Sequence, residues 1–248
     1  MERASHDSLC SPAKLSWMRT LPCLDERAQM TTLDQLMEPI RHSPLLPRIV
    51  EELQLQIAKE QQLRTRFYEE ITPEQKVEFI NGEVIFQPPA KNRHLIATGC
   101  IFSSMSLFVD LNRLGTVKSE KCLCSFPRND YEPDIVFFGL EKSAQLHLDT
   151  LQFPVPDMIV EVLSESTESR DRGTKFIDYS AQGVIEYWII DTERRVLEQY
   201  LQEANGLALK KKSDSGIVES QAIPGFAIEI AALFDEQKNL EAIRKWLS

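Results

Sequence analysis

Two carboxylates lie in apolar segments that are typical of buried strands, and a lysine follows them along the chain. Glu161 is flanked on both sides by apolar residues in the segment 158–163, and Asp134 directly precedes the apolar run 135–138. An ionised carboxylate in a buried strand is costly unless it is paired or binds a metal ion. Two such acids, together with the ammonium of Lys175, are what a metal-dependent site that cleaves phosphodiesters requires.

The role of the lysine in such a site is open to two interpretations. Leu163, rather than a lysine, stands two residues after Glu161 on the same face of the predicted strand. The nearest candidate is Lys175, on a predicted helix where Asp171, Lys175 and Tyr179 are spaced i, i+4, i+8 and share one face. Lys175 therefore either reaches the two acids or forms a surface salt bridge with Asp171.

Charge is distributed unevenly along the chain. The 248 residues carry a formal net charge of −10, which argues against a nucleic-acid partner because phosphate contacts need lysine and arginine. Residues 91–128, however, contain six Lys and Arg against two Asp and Glu. This segment is either a basic groove on an acidic body or an ordinary solvated face.

No segment resembles a membrane span or a secretory signal. The apolar runs fall short of the roughly 18 residues that a bilayer requires, and residues 1–30 mix charged residues, Ser and Pro without an apolar stretch. We therefore expect a cytoplasmic protein with no membrane contact.

The five cysteines are irregularly spaced, so we expect reduced thiols packed as small hydrophobic groups.

The chain divides into a tail and one domain. Residues 1–45 are rich in Pro, Ser and scattered charge, which predicts a poorly ordered N-terminal tail, and residues 46–248 form the predicted domain. A helix over 47–67 opens the domain, either as a lid packed on the core or as an arm for dimerisation. Asn81-Gly82 between alternating apolar residues then predicts a β-hairpin.

The order of the remaining elements predicts the fold class. The predicted elements are a helix over 94–114 with Ile101, Met105, Phe108 and Leu111 as its buried stripe and Gly115 at its end, strands over 117–124, 134–138, 158–163 and 184–190, a helix over 170–182, a hairpin around Asn205-Gly206 and a helix over 236–247. This succession favours an α/β (α+β) fold with a mixed central sheet.

Several short motifs occur together in one known family. They are residues 80–84 (INGEV), 129–135 (NDYEPDI), 156–164 (PDMIVEVLS), 171–176 (DRGTKF), 183–188 (GVIEYW) and 223–226 (IPGF), with His94 and Ser166-Thr167 between them. Taken together they resemble the Uma-two family, which is assigned to the restriction-endonuclease-like, PD-(D/E)xK superfamily. The likeness covers about residues 65–240.

The resemblance implies a fold and a site. It implies an αβββαβ core with a mixed central sheet, an extra N-terminal helix and hairpin, and a C-terminal hairpin. By position, Asp134 is the Asp of the PD motif, Glu161 is the second acid, and Lys175 stands in for the lysine missing at Leu163. Glu83 is either a third metal-binding acid or an exposed hairpin residue. His94 either contacts phosphate or has a capping or surface role.

The leading hypothesis is an endonuclease that depends on Mg²⁺, with Mn²⁺ as a substitute. Asp134 and Glu161, with Glu83 as a possible third ligand, would hold the metal, and Lys175 would position the attacking water. DNA is the expected substrate, and a homodimer is expected because a double-strand cut needs two sites. Two alternatives stay open: a catalytically inactive nuclease fold that serves as a DNA-binding or assembly module, and a hydrolase of small phosphate esters.

Overall fold

The computed structural model describes residues 33–72 and 74–247. Its helices are α1 Leu33–Arg41, α2 Leu46–Glu70, α3 Asn92–Asn112, α4 Leu140–Ser143, α5 Glu168–Asp171, α6 Thr174–Ala181 and α7 Glu236–Leu247, with a 3-10 helix at Ile230–Leu233. Its strands are β1 Val77–Ile80, β2 Glu83–Phe86, β3 Gly115–Ser119, β4 Leu123–Ser125, β5 Asp130–Tyr131, β6 Ile135–Gly139, β7 Gln152–Phe153, β8 Met158–Val162, β9 Glu186–Asp191, β10 Val196–Glu203, β11 Gly206–Ser213, β12 Ile217–Glu219 and β13 Ala227–Glu229.

A mixed six-stranded sheet forms the centre of the fold. Its strands lie in the order β11-β10-β9-β8-β6-β3, with β8 and β9 parallel and all other neighbours antiparallel. The succession α3, β3, β6, β8, α6, β9 is the predicted αβββαβ core, and β10–β11 is the predicted C-terminal hairpin. The predicted α+β fold class with a mixed central sheet is therefore confirmed.

The two faces of this sheet pack against different partners. Successive residues of a strand point to opposite faces, so Ile135 and Val160 join a core closed by α3, α7 and the 3-10 helix. Val136 and Ile159 join a second core, closed by α6 and by strands β1, β4 and β5. The second core is the one that receives the polar side chains of the candidate site.

A five-stranded sheet, in the order β2-β1-β5-β4-β7, begins with the predicted hairpin. Strands β1 and β2 pair antiparallel from Val77↔Phe86 to Ile80↔Glu83. Asn81 and Gly82 connect them with φ of +53° and +86°. A type I′ turn requires positive φ at both central positions, so the Asn-Gly pair explains this hairpin.

Two elements predicted as continuous are interrupted. The strand predicted over 117–124 is split: β3 joins the six-stranded sheet and β4 the five-stranded one. Glu120 and Lys121 lie between them, both with φ of +48°, and left-handed backbone turns the chain out of the strand direction. The helix predicted over 170–182 is likewise two helices, α5 and α6, separated by Arg172 and Gly173.

Helix α3 differs from its prediction in its buried stripe and in its end. The stripe continues through buried Val109, whereas Leu111 is 49% exposed. Arg113, with φ of +54°, caps the helix in the left-handed region. Gly115 therefore belongs to β3 instead, where an added Cβ would lie 2.1 Å from the carbonyl oxygen of Phe138.

Half of the apolar stretch of α3, and the three described cysteines, are buried in the protein. By length and composition α3 could cross a membrane, contrary to the expectation from the sequence, but half of the qualifying stretch is buried inside the protein. A helix of the protein core explains that composition. Cys100, Cys122 and Cys124 are buried free thiols, as predicted for them.

Helices α1 and α2 precede the sheet. Residues 33–41 of the tail that the sequence predicted to be poorly ordered are helical, and residues 1–32 of that tail lie outside the described part of the chain. The C-terminal end of α2 packs on the domain through Leu63 and Phe67. Val50, Leu53 and Ile57 are 42–54% exposed, so this half of α2 is not a lid on the core.

Candidate active site

The end of the β6–β8 strand pair brings the two predicted acids together. The antiparallel register, continued by one residue beyond Ile135↔Val160, sets Asp134 opposite Glu161. Residues opposed in this way share a face and have Cβ atoms about 4.5–5.5 Å apart. Asp134 also fixes the strand end, because its Oδ2 accepts the N–H of Val162 at 2.8 Å.

Asp134 is held by Lys76 and His94. Lys76 Nζ donates to Oδ1 at 2.9 Å, and His94 Nε2 lies 3.3 Å from the same oxygen. Burial alone would raise the pKa of Asp134, but the hydrogen bond from His94 and the charge of Lys76 outweigh burial and hold the pKa below its usual range. The charge of Asp134 in turn outweighs the effect of burial on Lys76 and raises the pKa of its ammonium. Both groups are therefore charged at neutral pH.

Lys175 is buried among three carboxylates. Its Nζ lies 2.8 Å from Glu78 Oε1, 3.0 Å from Glu161 Oε1 and 3.2 Å from Asp171 Oδ1, and its side chain is 1% exposed. Burial alone would lower the pKa of Lys175, but these three acids raise it well above its usual range. The pair with Asp171 exists as predicted, but it lies inside the protein at Glu161 and not on the surface.

Glu161 differs from Asp134 in its protonation. Lys175 and Tyr179 both donate to its Oε1, at 3.0 and 2.9 Å. Burial raises the pKa of Glu161 to about 8, against the lowering effect of Lys175, and the charges of Asp171 and Asp134 add to the rise. Glu161 is therefore the weaker acid of the two, because its surroundings favour the neutral form, whereas those of Asp134 favour the ionised form.

Glu78 belongs to this group, although the sequence analysis did not identify it. It is fully buried in β1, and its Oε1 accepts the N–H of Glu132 and contacts Lys175. Its Oε2 is buried without a hydrogen-bond partner among the described residues. A signal was available, because a charged residue between Val77 and Phe79 in a buried strand is as unusual as the two predicted acids.

Glu83, the predicted third acid, is not brought to the group. It opens β2, the edge strand of the five-stranded sheet, and it is exposed. It is also absent from the residues that line the cleft around Asp134. The structure agrees with the alternative interpretation of an exposed hairpin residue, because β1 and not β2 faces Lys175.

The charged side chains around Asp134 and Lys175 face a cleft of about 540 Å³. Asp134, Glu161 and Lys175 line it together with Lys76 and His94. His94 thus has neither the capping nor the surface role considered from the sequence, since it faces the first acid from the start of α3.

The rim of the cleft carries mixed charge. Lys91 pairs with Glu165 at 2.8 Å, and Arg93 pairs with Glu193 at 2.9 Å. The basic segment predicted from the sequence therefore reaches the cleft through its first residues, and there each cation has an acidic neighbour. Exposed pairs of this kind are weak and exchange readily for other partners.

The donor set suits a hard divalent cation. Carboxyl groups outnumber ammonium groups here by four to two. The carboxyl groups are Asp134, Glu161, Glu78 and Asp171, and the ammonium groups are Lys76 and Lys175. Within 33–72 and 74–247 no group of three or more His, Cys, Asp or Glu is arranged to hold a metal ion. Mg²⁺ needs no such cage, because it keeps several waters and binds through one or two carboxylates plus substrate phosphates.

Comparison with known proteins agrees with the motifs. Residues 61–231 match the family model described as "Uma2: Putative restriction endonuclease". A solved structure from Anabaena variabilis ATCC 29413, titled a "putative nuclease belonging to DUF820", is similar with a TM-score of 0.59 and 19% identity, over 68% of this chain and 94% of that one. That likeness shows the fold, and no curated protein matches the chain. Because the family match spans more than half of the chain and includes every residue of the cleft, the chain belongs to the Uma2 family.

Proposed function

We propose that this protein is a Mg²⁺-dependent endonuclease that hydrolyses phosphodiester bonds of DNA. The observation that carries the proposal is the opposition of Asp134 and Glu161 at the floor of one cleft, with the buried ammonium of Lys175 beside them. The family description supports nuclease activity. Two neighbouring acids whose pKa values shift in opposite directions are also a pattern that acid–base sites show.

In this proposal Asp134 and Glu161 hold Mg²⁺, or Mn²⁺ in its place. The bound ion would offset the charge that develops on the phosphodiester and would lower the pKa of a water molecule. Asp134 offers an ionised carboxylate from the start, fixed in direction by the N–H of Val162. Glu161 would be the second carboxylate ligand, since the positive charge of a bound cation would lower its pKa and favour its ionised form.

Lys175 positions the attacking water. An ammonium has three donors and no acceptor, so it orients the oxygen of the water and does not remove its proton. Glu78 and Glu161, at 2.8 and 3.0 Å, hold it in place. Asp171 Oδ1, at 3.2 Å, accepts no hydrogen bond, so one donor of the ammonium remains for the water. The water oxygen attacks phosphorus and loses a proton to a neighbouring water, the bond from phosphorus to the 3′ oxygen breaks, and that oxygen takes a proton from solvent. The products are a 5′-phosphate and a 3′-hydroxyl end.

We also propose a homodimer, since cutting both strands of a duplex takes two sites. The exposed apolar side chains of Val50, Leu53 and Ile57 on α2 offer a surface for a second copy. Sedimentation should give the mass of a dimer for the wild type and of a monomer for Leu53→Glu. A wild type that sediments as a monomer at micromolar concentration would end this part of the proposal.

Cleavage of supercoiled plasmid tests the reaction. Purified protein with Mg²⁺ or Mn²⁺ should nick the plasmid, and both Asp134→Ala and Lys175→Ala should lose the activity. Loss in Asp134→Ala alone would keep the nuclease and remove Lys175 from the mechanism. A wild type that binds the metal but cuts neither DNA nor a chromogenic phosphodiester would favour the inactive binding module instead.

A further inference from the structure

We propose that Lys76 is a displaceable cation: it neutralises Asp134 while no metal is bound, and it turns to a phosphate of the nucleic acid when a divalent ion takes its place. The inference rests on the metal site proposed above. It gives this side chain a role that neither the motifs nor the family description supplies, because Lys76 directly precedes β1 and lies outside every motif that carries the resemblance.

The two lysines of the cleft differ in their freedom to move. Lys175 is 1% exposed and contacts three carboxylates, whereas the side chain of Lys76 is 20% exposed and its ion pair is with one acid, Asp134. Both line the cleft. A lysine is a point charge on a flexible four-carbon stem, so Lys76 can leave Asp134 and remain within the cleft, while Lys175 stays where its partners hold it.

Lys76 contacts the carboxylate oxygen of Asp134 that a metal ion would bind. Its Nζ lies 2.9 Å from Oδ1, while Oδ2 is already engaged by the N–H of Val162. A divalent ion that approaches Oδ1 therefore meets an ammonium at contact distance, and the repulsion weakens binding. His94 Nε2 shares the same oxygen at 3.3 Å and can take over as the remaining donor.

The nucleic acid offers the displaced ammonium a new partner. A phosphodiester that enters the cleft to reach the metal brings a negative charge next to Asp134, and a lysine ammonium is a common phosphate ligand. Lys76 then contributes one phosphate contact to binding, whereas without metal it contributes only to the neutrality of the site. Its removal should consequently strengthen metal binding and weaken DNA binding, which are effects of opposite sign.

Calorimetric titration with Mn²⁺ tests the first effect. Lys76→Gln should bind Mn²⁺ roughly tenfold more tightly than the wild type, because the competing charge is gone. Lys76→Arg keeps the charge and should stay within about twofold of the wild type. The matched control is Lys142→Gln, which removes a lysine 2.7 Å from another aspartate, Asp157, outside the cleft; its Mn²⁺ affinity should not change.

Binding of a labelled phosphorothioate duplex at saturating Mn²⁺ and increasing salt tests the second effect. Lys76→Gln should weaken binding and reduce the slope of log affinity against log salt by about one, as the loss of one phosphate contact predicts. Unchanged or weaker Mn²⁺ binding by Lys76→Gln, or an unchanged salt slope, would overturn the inference while the metal site stands. A wild type that binds no Mn²⁺ would instead overturn the proposed function, and this inference with it.

Discussion

The two ends of the β6–β8 strand pair are alike in sequence and differ in chemistry. Each end carries an aspartate directly after a proline, and each aspartate pairs with a lysine: Asp134 with Lys76 at 2.9 Å and Asp157 with Lys142 at 2.7 Å. At the second end, Oδ2 of Asp157 accepts the N–H of Gly139, which closes the strand pair. Both aspartates thus fix a strand end through a backbone N–H.

The difference lies in what surrounds each ion pair. Asp134 lies opposite Glu161 in a cleft, whereas Asp157 and Lys142 are not among the residues that line it. The backbone carbonyl of Asp157 accepts the N–H of Ile185, so this residue also joins β8 to the start of β9. Both Pro-Asp dipeptides thus lie at strand ends, and the end at Asp134 also has a second carboxylate, that of Glu161, opposite it.

The largest expected effect is a difference in nicking activity between variants of the two aspartates. Asp134→Asn should lower the rate of plasmid nicking by about 10³-fold, because it removes charge where the metal would bind. Asp157→Asn should leave the rate within about threefold and cost about 1 kcal/mol of stability through its altered contacts with Gly139 and Lys142. Rates under single-turnover conditions and urea unfolding measure the two quantities. Equal loss of activity in both variants would erase the proposed distinction.

Lys175 and Lys142 should differ in how much each contributes to the stability of the fold. Lys175→Met leaves Glu78, Glu161 and Asp171 without their shared cation and should cost about 3–5 kcal/mol at neutral pH. Lys142→Met removes a partly exposed pair and should cost less than about 1 kcal/mol. Urea unfolding in EDTA measures both. Similar losses in the free energy of unfolding for the two variants would contradict the stabilising role of the buried Lys175.

The two acids of the cleft should show opposite dependences on pH. The pKa of Glu161 is raised to about 8 in the folded protein, so its stabilising effect is complete below about pH 4.5 and is lost as pH rises to 8. Glu161→Gln should therefore gain stability relative to the wild type over this range, by at most about 5 kcal/mol. The pKa of Asp134 is lowered, so its contribution is present above about pH 4 and is lost as pH falls.

The deficit of Asp134→Asn should accordingly shrink below about pH 4. Denaturation of the two variants and the wild type in EDTA, from pH 3 to pH 9, checks both trends. Parallel curves for Glu161→Gln and Asp134→Asn would contradict the opposite protonation of the two acids.

The smallest effect is expected for Glu83, which lies at neither end of the strand pair. Glu83→Gln changes an exposed residue on an edge strand and should alter stability by less than about 0.5 kcal/mol. Nicking should stay within about twofold of the wild-type rate. Glu78→Gln, in the paired strand, should lower the rate well beyond that, because Lys175 loses a charged partner. If Glu83→Gln were the more damaging change, the geometry of the site would be wrong.

The sequence predicted those parts of the site that depend on local spacing. Asp134 and Glu161 stood out because a charge in an apolar strand is rare, and Asp171, Lys175 and Tyr179 shared a face by their i, i+4, i+8 spacing even though the helix is broken. The family resemblance supplied the αβββαβ order. These features need only the neighbouring residues, or a set of motifs, to be recognised.

The rest depends on contacts between distant segments. Lys76 and Glu78 reach the site because the first hairpin joins a second sheet that packs over the β6–β8 pair, and periodicity along the chain does not specify that packing. The break between β3 and β4 occurs at Glu120 and Lys121, which adopt positive φ without a glycine. Tertiary contacts override local preference there, so the sequence predicted one strand.

Binding of Mn²⁺ at neutral pH, measured by calorimetry on the wild type, Asp134→Asn and Asp157→Asn, tests the central claim most directly. We expect one ion per chain for the wild type and for Asp157→Asn, and none at the same concentrations for Asp134→Asn. Indistinguishable titrations of the wild type and Asp134→Asn would contradict it, because the end of the strand pair that faces the cleft would then hold no metal.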